Sequence, residues 1–279
     1  MDNNQISDAL SRTSLNAMLQ DALDILEADD GKSFEEKRDA VISQLKQKDD
    51  SELARLLVER AIADKAGAGT KDAFWKCGRI IRVNNNVVLR PVKPCDHDGF
   101  LLIQQDNSMI RSMLKEEAFY DMVWKEHNEE KSLMLSIENM GSYIGYCGIK
   151  DTSQDLWEIA IELKRDWTKH GIGYPALFTM LNAIKSRLGV TEFRVRIDPT
   201  NYPSQKLFER LGAIPNGLSE LWLHDHRALE KFEEENLHLI DERIVEVAKK
   251  FQVEPRKLLS HVLEYRLSWT GKGEANGQV

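Results

Sequence analysis

Residues 157–181, WEIAIELKRDWTKHGIGYPALFTML, bring together the groups most able to do chemistry. Strict alternation sets Trp157, Ile159, Ile161 and Leu163 against Glu158, Ala160 and Glu162, so the segment reads as a strand with two carboxylates on its polar face. Either glutamate could take a proton from an attacking group, directly or through water. A basic loop follows, then a helix from about Gly171 to Leu188, whose first turn offers backbone N–H groups and the positive end of the helix dipole. Gly171 and Gly173 allow close backbone approach, and Lys164, Arg165, Lys169 and His170 add positive charge. The chemistry this suits is binding of a pyrophosphate.

Gly171-Ile-Gly173-Tyr-Pro-Ala176 also fits the dinucleotide pattern G-x-G-x-x-A, with Asp198 ending the next strand, where a ribose-binding acid belongs. That fingerprint sets its glycines straight after the strand, whereas residues 164–170 intervene here, which makes the dinucleotide reading a minor alternative. A second string, NYPSQKLFERLGAIP at 201–215, reads as a short helix from Ser204 to Leu211 closed by Gly212.

In this order and at this separation, ELKRDWTKHGIGYPAL and NYPSQKLFERLGAIP resemble two elements of the GNAT superfamily of acyl-CoA-dependent N-acetyltransferases. The first is similar to its Gln/Arg-x-x-Gly-x-Gly/Ala loop, the second to the Asn-x-x-Ser/Ala element that follows. The resemblance covers roughly 79–215, and WEIAIEL with the Asn-to-Ser spacing looks most like the ribosomal-protein N-terminal acetyltransferase branch.

The resemblance implies an α+β fold: a mixed, mostly antiparallel sheet splayed between its fourth and fifth strands and flanked by helices. It implies acetyl-CoA as cosubstrate, with backbone groups of Leu163 and Lys164 on the pantetheine arm. It also implies that the loop Lys169, His170, Gly171, Ile172, Gly173 and Tyr174 wraps the pyrophosphate, and that Asn201 and Ser204 touch the arm from the other side. Glu158 matches the acid of the family's Ala-Glu-Ile-Gly-like strand, which makes it the first candidate base and Glu162 the second. Thr168 and Lys169 depart from the family's Gln/Arg and Gly. Phe208 stands where many members carry a thiolate-protonating tyrosine, and Ala213 replaces an aromatic.

Plainer readings accompany these residues. Glu158 could be an ion-paired strand carboxylate, and Ser204 beside Asn201 could cap its helix. Tyr143, Tyr146 and Tyr174 could line an acceptor site or serve as amphipathic core residues. His224-Asp225-His226 lacks a third ligand and reads as surface charge, and Cys147 reads as a buried strand thiol.

Other elements must position this site. GRIIRV and VVLRPV flank Asn84-Asn85-Asn86 as two strands, helical periodicity runs over about 96–128, and SLMLSI and SYIGYCGI predict a hairpin around Asn139-Met-Gly141. FRVRI at 193–197 is a further strand. Before residue 67, Leu15, Met18, Leu19, Ala22, Leu23 and Leu26 form one helical stripe, Ser33 and Glu36 a capping box before Val41 and Leu45, and Leu53, Leu56, Leu57 and Ala61 a third stripe. Beyond 219, Leu237, Ile240, Ile244, Val247 and Phe251 predict a helix, and Pro255 opens a final one carrying Leu259, Val262 and Leu263. The expected organisation is a helical module at 1–70, the acetyltransferase-like domain at 71–216 and a helical extension at 217–279, the extensions offering a homodimer surface.

Composition narrows the function classes. The 279 residues are 42% hydrophobic and 30% charged, as in an ordinary globular protein. No apolar run reaches the ~18 residues a membrane span needs, and MDNNQISDAL lacks a secretion signal's basic start and apolar stretch, so a cytoplasmic protein without a membrane partner is expected. The 3 cysteines lack metal or disulfide spacing, and no metal is expected. A net charge of −8 disfavours nucleic acid; 9 basic and 15 acidic residues fall in 1–66. That charge could attract a cationic acceptor without placing its site. The expected activity is acetyl transfer from acetyl-CoA to a primary amine, a protein N-terminus or a small molecule, by direct attack in a ternary complex. The alternative is a non-catalytic acyl-CoA-binding regulatory protein.

Overall fold

In a computed structural model, the structure describes residues 69–107, 117–220 and 226–271, with scattered positions between 25 and 41. Two compact units divide the chain, Met1–Ala68 and Gly69–Val279. In the first, Ser33 and Glu36 form the reciprocal capping box: the Glu36 amide donates to Ser33 Oγ at 3.3 Å and the Ser33 amide to Glu36 Oε2 at 2.8 Å. Val41 is buried. The stripes at 15–26 and 53–61, Leu45, and the side chains of His224, Asp225 and His226 lie outside the described residues.

The second unit is a mixed sheet with helices on its faces. It opens with α1 (Thr70–Trp75), β1 (Ile81–Arg82) and β2 (Val87–Pro91), then α2 (His97–Asn107), α3 (Glu117–Asn128), β3 (Leu133–Asn139), β4 (Ser142–Ile149) and β5 (Trp157–Leu163). After a 3-10 turn come α4 (Gly173–Leu188), β6 (Glu192–Ile197), α5 (Tyr202–Arg210) and β7 (Ile214–Glu220). Then follow α6 (His226–Glu235), α7 (Glu242–Phe251) and β8 (His261–Ser268). The strands lie in the order β1-β2-β3-β4-β5-β6-β8-β7, and every neighbouring pair is antiparallel except β5 with β6.

One face is closed by α4, which buries Ala176, Leu177, Met180, Leu181 and Ile184. Each large apolar side chain removed from water there stabilises by about 1.5–3 kcal/mol. Ile159, Phe193, Val195, Leu263, Tyr265 and Leu267 meet it from the strands. Phe208 belongs to the same core, so its ring is packing and faces no solvent. On the opposite face, α2 and α3 cover the β2–β5 half through Phe100, Ile103, Met134 and Tyr146.

Several elements differ from the sequence reading: β7 lies where no strand was expected, and the helix expected from Leu237 begins at Glu242, after a 3-10 turn at Leu237–Leu239. The final helix expected from Pro255 is a 3-10 turn, Pro255–Leu259, followed by β8, which inserts between β6 and β7. The period-two run Leu263, Tyr265, Leu267, Trp269, all buried, outweighs the three-and-four spacing of Leu259, Val262 and Leu263. The helix at 204–211 begins at Tyr202, because Asn201 supplies the cap: the Ser204 amide donates to its Oδ1 at 3.1 Å. The helix expected from Gly171 starts at Gly173.

The hairpin between β3 and β4 turns at Met140 and Gly141, both with positive φ, 48° and 85°. This two-residue turn with two left-handed positions suits Asn-Gly, and a methionine there is strained by about 1 kcal/mol. Met140 is exposed. Met140→Asn is therefore expected to stabilise the protein by about 1 kcal/mol, read as a higher urea midpoint at an unchanged slope.

Candidate functional site

β5 and β6 are paired only at Trp157 with Phe193 and Glu158 with Arg194. Beyond them the strands part, so from Ile159 to Leu163 the β6-facing edge of β5 borders a gap. Counting the short β1, the split expected between the fourth and fifth strands lies between β5 and β6. Glu158 accepts from Lys150 N and Lys164, just past β5, donates to Ile144 O, so even-numbered residues bond toward β4 and odd-numbered ones turn toward the gap. Lys164, whose carbonyl also accepts from the Trp167 amide, has no backbone group left for the arm expected on it.

The loop leaving β5 makes a 3-10 turn at Arg165–Trp167, and Thr168 Oγ1 donates to Arg165 O at 2.8 Å. Lys169 (φ 62°) and Gly171 (φ 73°) then take left-handed conformations that bring the chain into α4. A glycine at 169 would adopt its conformation without strain, which explains why the related loop favours one there. The N-cap, Ile172, gives no side-chain hydrogen bond and the first turn holds no acid, so the dipole end of α4 is left to whatever anion approaches. Lys169, His170 and Gly171 are exposed beside it.

Across the split lies α5. A Cβ on Gly173 would sit 3.3 Å from Leu207 Cδ2 and 3.6 Å from Ile161 Cδ1, so this position borders both α5 and the parted end of β5. The Arg210 guanidinium stacks over the Tyr174 ring at 4.1 Å. The fold thus gathers the 169–174 loop, the end of β5 and α5 around one cleft, with Asn201 and Ser204 at the start of α5. Asn201 Oδ1 is spent on the Ser204 amide. Asp198, the candidate ribose acid, accepts from the Thr200 amide at 2.7 Å and ties its own turn.

On the α2 side of the sheet the two glutamates have different surroundings. Glu158 is buried among cations: Lys150 Nζ at 2.7 Å from Oε1, Arg196 Nε at 2.8 Å and Arg194 Nε at 3.7 Å from Oε2. Burial raises its proton affinity, but Lys150 and Arg196 outweigh this and hold the carboxyl below its ordinary range. A carboxylate so engaged is a poor base, and the first candidate is better read as the ion-paired strand residue.

Glu162, one same-face step beyond Ala160, has no such cage. Burial pushes its proton affinity up, opposed by hydrogen bonding to Tyr146, by Lys150 and by Gln104. Gln104 Nε2 lies 3.3 Å from Glu162 Oε2 and 3.1 Å from Tyr146 Oη. Burial first, then Glu162, raises the Tyr146 phenol well above its usual range, so it acts here as a neutral donor. Tyr143 joins this group although three residues from Tyr146, because Ile144 is an extra residue in β4: Ile137 pairs with Gly145 and Glu138 with Tyr143. Its hydroxyl is buried without a hydrogen-bond partner among the described residues. Gln104 was not legible as a site residue; only its place one position after buried Ile103 hints at it. Tyr174 belongs instead to the cleft side. Cys147 is buried, which pushes its thiol up and leaves it inert. Among the described residues no group of three or more His, Cys, Asp or Glu could hold a metal ion, and no helix is long and apolar enough to cross a membrane.

Residues 86–214 match the family model described as acetyltransferase (GNAT) domain. No curated relative matches the chain. Among solved structures the chain is similar to RimL, the ribosomal L7/L12 alpha-N-protein acetyltransferase in complex with coenzyme A. The identity is 12% and the TM-score 0.49, over 70% of this chain and 100% of that one. It is similar also to the Salmonella typhimurium acetyl transferase that modifies the N-terminal serine of 50S subunit protein L7/L12. There the identity is 12% and the TM-score 0.45, over 68% and 99% of the two chains. Mycobacterium smegmatis RimJ in complex with CoA-disulfide matches at 17% identity and TM-score 0.43, over 68% and 84%.

Proposed function

Residues 86–214 form a GNAT acetyltransferase domain, and from that premise we propose that the protein transfers acetyl from acetyl-CoA to a primary amine by direct attack in a ternary complex. The observation that carries this reading is the split between β5 and β6, which opens onto the uncapped start of α4 on one side and onto Glu162 on the other. The cradle suits the ligand: a left-handed, basic loop at a helix N-terminus accommodates a pyrophosphate, and a strand edge turned to a gap accommodates an amide-bearing arm.

Acetyl-CoA would supply the activated acyl group as a thioester. Lys169 to Tyr174 would hold the phosphates, the gap-facing edge of β5 would orient the arm, and Asn201 and Ser204 would close it from the start of α5. Glu162, set by Tyr146 and Gln104, accepts the proton that the amine must lose to attack. Phe208 has no proton to give and is buried. A thiol with an ordinary pKa near ~8.5 can leave as its thiolate, which equilibrates with solvent protons after it departs.

Calorimetric titration of acetyl-CoA tests the cleft, with Gly173→Trp as the blocked form. An indole grown from Gly173 runs toward Leu207 and Ile161, filling the split. Micromolar binding to the wild type that disappears in a variant retaining its thermal transition is expected, together with amine-dependent thiol release by the wild type. Binding without release under a broad amine screen would leave the acyl-CoA-binding regulatory reading in its place. No binding to the wild type would remove both.

A further inference from the structure

The chain is acidic overall, yet the open face of the split beside Glu162 is basic. Lys150, Arg194 and Arg196 share a single buried carboxylate, Glu158. Of the neighbouring charges, Arg266 pairs with Glu192 at 3.1 Å, while Glu264, the cross-strand partner of Arg196, accepts from the neutral Asn216 and Ser219 and adds a negative charge beside Arg196. Arg194 Nε is buried without a hydrogen-bond partner among the described residues. Its side chain and that of Arg196 remain 32% and 34% exposed. Glu158 and Glu264 together leave about one positive charge over from Lys150, Arg194 and Arg196, and with it the unmet Arg194 donor, for an anion. The cluster sits at the last paired residues of β5 and β6, four residues before Glu162, a span of ~13 Å at strand rise.

We propose that the acceptor is a peptide N-terminus with an acidic side chain about three to five residues in, bound by Arg194 and Arg196 while its amine lies at Glu162. This rests on the acetyl-transfer reading for the amine's fate, and on the arginine geometry alone for the acid. An extended peptide covers the ~13 Å span with about four residues. Arg194 is the specificity residue, because it is the cation that Glu158 holds at the longest distance, 3.7 Å.

The test uses ten-residue peptides with a free N-terminus and a C-terminal fluorophore, of one neutral sequence carrying Glu at position 4, Glu at position 9, Lys at position 4, or no charge. Anisotropy titrations onto the full chain with bound coenzyme A are expected to show the Glu-4 peptide ~10-fold tighter than the neutral and Glu-9 peptides. Arg194→Gln, which leaves Glu158 its two nearer partners, is expected to shrink that ratio below ~3-fold, and Arg194→Glu to turn preference toward Lys-4. Equal affinities across the series on the wild type, or a preference for Glu-9 equal to that for Glu-4, would overturn the proposal. Thiol release read on the same peptides separates the two ideas. Release without preference removes only the acidic acceptor, and preference without release removes only acetyl transfer.

Discussion

Glu162→Gln is expected to lower amine-dependent thiol release by roughly 10²–10⁴-fold, the usual contribution of a positioned general base, while leaving acetyl-CoA affinity within about twofold. The substitution keeps the shape and the contact with Gln104 and removes only the ability to take a proton. The wild-type pH profile should carry the signature of the same group. Burial holds the Glu162 carboxyl above its ordinary range, so a proton blocks it at low pH and kcat/KM rises as that proton leaves. The midpoint of this limb lies above that of a free glutamate. In Glu162→Gln that limb should vanish, leaving only the ionisation of the acceptor amine, near ~8 for an α-amino group. A variant that kept wild-type turnover and the acid limb would move the role of base to another group.

Glu158 shows how far sequence could go. Alternation along WEIAIEL correctly places Glu158 and Glu162 on one face, but both are glutamates on a polar face, and pattern alone cannot rank them. The ranking comes from β6, where FRVRI sets Arg194 and Arg196 against Glu158 from more than 30 residues away in the chain, and from Lys150 just past the end of β4. The loop and helix at 164–188 were legible because helix starts and glycines are local signals. Tyr143 was not, since period two assigns it and Tyr146 the same face only if a residue is inserted, and the bulge at Ile144 has no sequence mark. β8 was misread for a different reason. Leu259, Val262 and Leu263 satisfy a helical period over five residues, whereas the strand declares itself only when Tyr265, Leu267 and Trp269 are counted with Leu263.

Asp96→Ala is expected to destabilise the protein by about 3–5 kcal/mol, the cost of leaving a buried charge without its partner. Asp96 is 1% exposed and receives Arg90 through two bonds of 2.7 and 2.8 Å, Ser136 Oγ at 2.7 Å and the Lys93 amide at 2.9 Å. Removal strands the Arg90 guanidinium, itself 6% exposed, with Glu138 as its remaining acid. Burial raises the Asp96 proton affinity, but Arg90, Ser136 and Lys93 outweigh it and hold the carboxyl below its ordinary range. Its stabilisation is therefore full above the unfolded value near ~3.9 and is lost as pH falls through the lower folded value, so the variant's stability should fall less steeply with acid than the wild type's. The loss should also reach the site. Arg90, Ser136, Tyr146 and Glu162 are successive cross-strand partners from β2 to β5, so the anchor at Asp96 fixes the row that ends in the proposed base. Turnover per folded molecule is thus expected to fall along with the urea midpoint. An unaltered midpoint would mean that the Arg90 network does not hold this half of the sheet together.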